Sequence, residues 1–188
     1  MARRSAEEPP MTKNAAVRSL SAQEARKSIP DLSAILIDCV EGGDSVGFMA
    51  PLTREKADAF WRGVVEGIAA SERILLVAED RASGEIFGTV QVVFGQPENQ
   101  PHRADVAKTL VHRRARGRGL GTALIRAAED VARASGRTLL VLDTASGDAE
   151  RLYERLGWTR VGPVPGYALM PDGRPCDTTI FYKPIAKT

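Results

Sequence analysis

Arg116-Gly117-Arg118-Gly119-Leu120-Gly121-Thr122 is the stretch on which the fold turns. Before it, Ala104 to about His112 reads as a strand; after it, a helix runs to Ser135. Leu120, Leu124, Ala127, Ala128 and Val131 form the apolar stripe of that helix, with Glu129 and Arg133 as an exposed i,i+4 pair. Glycines at alternate positions remove side chains where the chain must turn sharply. They free successive N–H groups to point inward at the positive end of the helix dipole, which makes a cradle for a diphosphate.

The residues narrow the choice of diphosphate. A phosphate-binding loop of the nucleotide-triphosphatase kind ends in Gly-Lys-Ser/Thr, whereas Gly121 is followed by Thr-Ala. A dinucleotide fingerprint needs a further glycine or alanine three residues after its second glycine. Counting from Gly119 reaches Thr122, and counting from Gly121 reaches Leu124. The preceding strand carries Asp105, Lys108 and Thr109, too polar for a central parallel strand covered on both faces. The bland alternative is a glycine-rich turn that binds nothing.

Working outward, residues 17–20 read as a first strand, and Ala22 to about Val40 has helical spacing that Pro30 divides in two. Residues 41–51 form a glycine-bearing loop with apolar side chains. Thr53 is placed to cap a helix from Arg54 to Ala70, and Ile74–Ala78 and Glu85–Phe94 form a hairpin. Beyond the glycine loop come a strand from Thr138 to Asp143, a helix from about Asp148 to Leu156, and closing strands at 158–162 and 178–183. The order predicts one α+β domain over 17–188 around a mixed sheet, after a disordered tail over 1–16.

At 188 residues the chain suits one domain. Lys plus Arg is 26 against 24 Asp plus Glu, which argues against a dedicated nucleic-acid binder. The run from His112 to Arg118 is a local basic patch able to meet phosphates without reading bases. Cys39 and Cys176 make no metal-spaced pair and no disulfide framework, so no metal is expected and a reducing cytoplasm suits the chain. No apolar run is long enough to span a membrane, and the charged N-terminus is no secretory signal.

Arg-x-x-Gly-x-Gly at Arg116, Gly119 and Gly121, after a strand and opening a helix, resembles the acyl-CoA motif of the GCN5-related N-acetyltransferases. Ala149-x-x-Leu152-Tyr153-x-x-x-Gly157-Trp158 resembles that family's later motif, correctly ordered and spaced. A narrower likeness, to the tabtoxin-resistance branch, extends over Gly42–Ala50, Leu142–Thr144, Thr159–Gly162, Pro165–Tyr167 and Pro171–Arg174.

The resemblance implies a central, mostly antiparallel twisted sheet flanked by helices. It implies acetyl transfer from acetyl-CoA to a small-molecule amine, such as an antibiotic or toxin, by direct attack in a ternary complex. A protein or peptide acetyltransferase and a noncatalytic acyl-CoA-binding regulator are the alternatives, and a homodimer is compatible with either. A backbone N–H among Leu110, Val111 and His112 would support the thioester oxygen. Arg116, Gly117, Arg118, Gly119, Leu120, Gly121 and Thr122 would hold the cofactor. Ser146 stands where the family has Asn, which contacts the pantetheine arm or orders the turn. Tyr153 occupies the position of the acid that protonates the departing thiolate, although Leu152, Tyr153 and Leu156 also form a helix stripe. Asp105 and Asp143 are candidates for the base, or for attracting the cationic acceptor. Ser45, Phe48, Met49 and Tyr167 fall in the segments where the acceptor would be met.

Overall fold

The computed structural model describes residues 14–186. The elements run β1 (Ala15–Leu20), α1 (Ala22–Lys27), α2 (Ile29–Glu41), α3 (Arg54–Ala69), β2 (Arg73–Asp80), β3 (Ile86–Val93) and β4 (Arg103–Val111). They continue with α4 (Leu120–Ala134), β5 (Leu139–Thr144), α5 (Gly147–Arg155), β6 (Thr159–Leu169) and β7 (Pro175–Pro184). β1 takes in Ala15 and Ala16 from the expected tail; residues 1–13 lie outside the described residues.

Local chemistry explains the helix boundaries. Ser21 and Glu24 close a reciprocal capping box on α1, and Thr53 accepts from the Lys56 N–H at the start of α3. Pro30 sits in the first turn of α2, where its missing N–H costs nothing, so it starts a helix as the chain leaves α1 at Ser28. Among the described residues no helix is long and apolar enough to cross a membrane.

Five helices flank one seven-stranded sheet of order β1-β2-β3-β4-β5-β7-β6, as the α+β reading predicted. Every pairing is antiparallel except β4 with β5. β4 thus has a parallel neighbour despite its polar content, but only from Arg103↔Leu139 to Asp105↔Val141. Beyond those pairs the two strands no longer pair, and the glycine loop follows the unpaired end of β4.

A bulge in β4 sets the site. Thr89 faces Leu110 and Gln91 faces Ala107, so Val90 alone opposes both Lys108 and Thr109. An extra residue reverses which way later side chains point. Accordingly Ala104 and Val106 pack into the core under α4, whereas Leu110 packs into the core under α1 to α3. Lys108 takes a left-handed φ of 52°, and the Thr89 hydroxyl donates to its carbonyl at 3.0 Å.

Two expectations change. β6 and β7 extend well beyond 158–162 and 178–183 into a long hairpin. Pro163 and Pro165 are tolerated because β6 is the edge strand, where a missing N–H breaks no second ladder. Glu129 is not the exposed partner of Arg133: it is buried, accepting from Trp158 Nε1 at 2.8 Å and Lys183 Nζ at 2.7 Å. Arg133 pairs with Asp130 instead.

Candidate active site

The glycine loop adopts the geometry its composition requires. After a single 3-10 turn at Arg113–Ala115, Gly117 and Gly119 take φ of 75° and 74°, and Gly119 begins α4 without a side-chain cap. The first-turn N–H groups at Leu120, Gly121 and Thr122 therefore have neither an intrahelical nor a side-chain acceptor. That is the donor set a diphosphate needs. Gly121 also serves packing, since a Cβ there would lie 3.2 Å from Leu152 of α5.

Backbone alternation selects one donor from the three expected at the end of β4. The His112 N–H is occupied by the Phe87 carbonyl at 2.9 Å. Leu110 shares that side of the strand, so the Val111 N–H turns away from β3 toward the gap beside β5. The Val111 carbonyl follows it and accepts from Arg116 Nε at 3.1 Å.

The arginines of the basic run are exposed, yet each is anchored. Arg113 donates through its backbone N–H and its Nε to Asp38 at 2.8 and 2.9 Å, and His112 lies 3.2 Å from the same carboxylate. Asp38 is held below the usual carboxylate range: burial alone would raise it, but the Arg113 hydrogen bonds outweigh that. Arg114 pairs with Glu85, and Arg116 pairs with Asp44 while reaching Cys39 Sγ at 3.8 Å. Arg116 is thus turned toward α2 and the loop after it. Arg118 Nη2 donates to the Arg114 carbonyl at 2.9 Å. The result is a loop tied to α2 and to the start of β3, with the first amides of α4 left without an acceptor.

Tyr153 lies on the far side of the bulge. Gly157 and Trp158 let the chain turn after α5, and the buried tyrosine ring packs 5.8 Å from Trp158 and 5.7 Å from Phe181. Thr109, a bulge residue that the sequence marks only as polar, acts on its hydroxyl. Burial, the dominant influence, pushes the Tyr153 pKa above 10.0; Thr109 pulls it down and Asp143 adds to the rise. The phenol therefore keeps its proton throughout the neutral range. It is a core residue whose hydroxyl retains its proton.

The two candidate carboxylates part company. Asp143 acts electrostatically on both Tyr153 and Lys108. Asp105 lies before the bulge, where it accepts from Gln96 Nε2 at 3.0 Å and meets Arg103 at 3.4 Å. Ser146 caps α5, accepting from the Ala149 N–H at 3.4 Å, and its own N–H donates to Thr144. The shorter side chain still orders the strand–helix turn.

The loop of residues 42–51 is fastened to the β6–β7 hairpin and closes one side of the site. Ser45 donates to the Leu169 carbonyl at 3.1 Å, and the Ala50 N–H donates to the Pro171 carbonyl at 3.0 Å. Phe48 packs edge-on against Phe60 at 5.3 Å, so it belongs partly to the core. Met49 and Tyr167 are exposed. Lys108, unsuspected from sequence, places its ammonium 5.8 Å from the Phe60 ring centre. Among the described residues no group of three or more His, Cys, Asp or Glu is placed to hold a metal.

Sheet, bulge, splayed strands and amide cradle define an acetyltransferase of one family. The model of the acetyltransferase (GNAT) family matches residues 31–158, and the chain belongs to that family. It is 38% identical over 115 residues to an uncharacterized N-acetyltransferase of the hisH-hisA intergenic region of Azospirillum brasilense. That match spans 60% of this chain and 66% of the relative, a little under two thirds of its length. An N-acetyltransferase from Staphylococcus aureus Mu50 superposes with a TM-score of 0.76 at 19% identity, over 93% of this chain and 100% of that one. A putative acetyltransferase from Salmonella typhimurium, solved with acetyl-CoA, gives 0.72 at 19% identity over 94% and 96%. A phosphinothricin acetyltransferase from Sinorhizobium meliloti, solved with the same cofactor, gives 0.76 at 20% identity over 92% and 89%. At these identities the superpositions speak for the fold.

Proposed function

We propose that the chain transfers an acetyl group from acetyl-CoA to the amine of a small molecule by direct attack in a ternary complex. The observation that carries the reading is the β4 bulge. It brings the Thr109–Tyr153 pair and the Val111 N–H together at the gap whose far end is the amide cradle. When bound, acetyl-CoA supplies an activated acyl thioester.

The chain's own groups divide the remaining work. The amides of Gly117 to Thr122 and the start of α4 hold the diphosphate. The Val111 N–H donates to the thioester oxygen as charge develops there. Asp143 attracts the cationic amine and accepts its proton, through a water where needed. Tyr153 holds its proton at Oη and gives it to the departing sulfur, and Thr109 fixes the phenol's direction. Asp105 has no place in this scheme, because Gln96 and Arg103 already occupy its carboxylate.

The likeness of residues 42–50 and 159–174 to the tabtoxin-resistance branch supports a finer reading, detoxification of an antibiotic or toxin. The test is acetyl-CoA-dependent thiol release with amino acids, polyamines, aminoglycosides and toxin-like lactams. Release that requires one acceptor class supports the proposal. Tight acetyl-CoA binding with no acceptor-dependent release would make the chain an acyl-CoA-binding regulator instead.

A further inference from the structure

Lys108 is a charged group that acetyl transfer, as set out above, does not use. It occupies the bulge at a φ of 52°, a region that a side-chain-bearing residue adopts only when its surroundings enforce it. Its ammonium lies over Phe60, and a Cβ built on Gly47 would come within 3.4 Å of Nζ, so it rests against the loop of residues 42–51. Among the described residues its side chain makes no ion pair or hydrogen bond, and Asp143 is the one charged group that acts on it.

The two charges share a face. Leu140 and Leu142 point into the α4 core, so Asp143 points to the opposite side of β5, where Phe60 and the loop of residues 42–51 also lie. They nevertheless stand too far apart to bond. A lysine present only to neutralise Asp143 would close that distance, and one present only as apolar filling would leave an ammonium desolvated for nothing. Burial pushes the Lys108 pKa below its ordinary value, with Asp143 opposing the change. An anion beside Nζ is what such a site lacks.

We propose that Lys108 is the anion-binding group of the acceptor pocket: the acceptor is an amine that carries a carboxylate. Its ammonium faces Asp143 and its carboxylate faces Lys108, with Phe60 and Gly47 flanking the contact. The inference rests on the reading of this gap as an acceptor site. It narrows that reading to amino-acid-like molecules.

The experiment compares L-lysine, L-methionine and L-tyrosine with their carboxamides, which keep the amine and remove only the negative charge. Binding to the CoA-loaded full chain is read by titration calorimetry, and acetyl-CoA turnover is read separately. At least one acid should bind roughly ten- to hundredfold more tightly than its amide, the span of one charge-assisted hydrogen bond. Lys108→Met should erase that preference by weakening the acid, leave the amide within about twofold, and keep acetyl-CoA binding and the thermal midpoint. Lys108→Glu should reverse the preference.

Absence of any preference for the acid in all three pairs overturns the inference, as does a Lys108→Met variant that keeps the preference while folded. The acetyl-transfer reading fails separately. Acid-selective binding without thiol release removes turnover and keeps Lys108's role; equal thiol release from acids and amides does the reverse.

Discussion

Tyr153→Phe separates the core role of this residue from the acid role proposed for it. Phenylalanine keeps the ring, so the packing against Trp158 and Phe181 at 5.8 and 5.7 Å should survive. What is lost is the hydroxyl and its interaction with Thr109. A neutral hydrogen bond contributes about 0.5–1.5 kcal/mol net, and for a chain of this size that is a fall in Tm of roughly 1–6 °C. Loss of a positioned acid costs about 10²–10⁴ in rate, or roughly 3–5 kcal/mol of barrier. The kinetic loss should therefore exceed the loss of stability severalfold.

The assay is steady-state thiol release, run beside calorimetric unfolding. If Tyr153 acts only at the transition state, kcat and kcat/KM fall together and the KM for acetyl-CoA stays put. A pH arm supplies a second signature. Because burial raises the folded pKa of Tyr153, this residue leaves stability flat below pH 10.0 and weakens the fold as pH climbs past that value. Tyr153→Phe should remove that share of the alkaline loss. A variant that retains kcat within about threefold with the expected small Tm change would refute the acid role and leave a core tyrosine.

Other perturbations test the frame around the site. Lys183→Met strands the buried Glu129 carboxylate, which then keeps only Trp158 as donor, and should cost about 3–5 kcal/mol in urea unfolding. Gly119→Ala forces a side chain into φ 74° and should cost about 1–2 kcal/mol, with acetyl-CoA affinity falling roughly tenfold by calorimetry. Cys39, whose thiol is pushed up from 9.0 to about 12 chiefly by burial, keeps its proton where an unfolded thiol loses it. Its raised pKa leaves stability intact below pH 9 and erodes it by about 1 kcal/mol per pH unit up to 12; Cys39→Ala should flatten that slope.

Much of this architecture is legible from local chemistry. The caps at Thr53 and Ser146 follow from hydroxyls placed before helical periods, and the cradle follows from glycines at the strand–helix junction. Glu129 was also within reach. Leu124, Ile125, Ala128, Glu129 and Ala132 fall on one buried stripe, so the i,i+4 rule competed with the periodicity of the same helix. The hairpin's full length was less accessible, because proline stops a strand in sheet interiors and only topology reveals that β6 is an edge.

The bulge is where sequence reading ends and geometry begins. Lys108 and Thr109 look like two polar residues in a half-buried strand, a pattern that any solvated edge would give. The extra residue matters because it breaks the period-two rule, sending Thr109 to Tyr153 and Lys108 to Phe60 and Asp143. Without it, every residue after Ala107 would face the opposite side, Leu110 would leave its core, and the Val111 N–H would turn into the sheet. One inserted residue therefore sets Thr109, the Val111 N–H and the Lys108 ammonium, the three groups to which the proposed scheme gives work. Deleting Lys108 should accordingly disturb all three, whereas Lys108→Met should touch the ammonium alone.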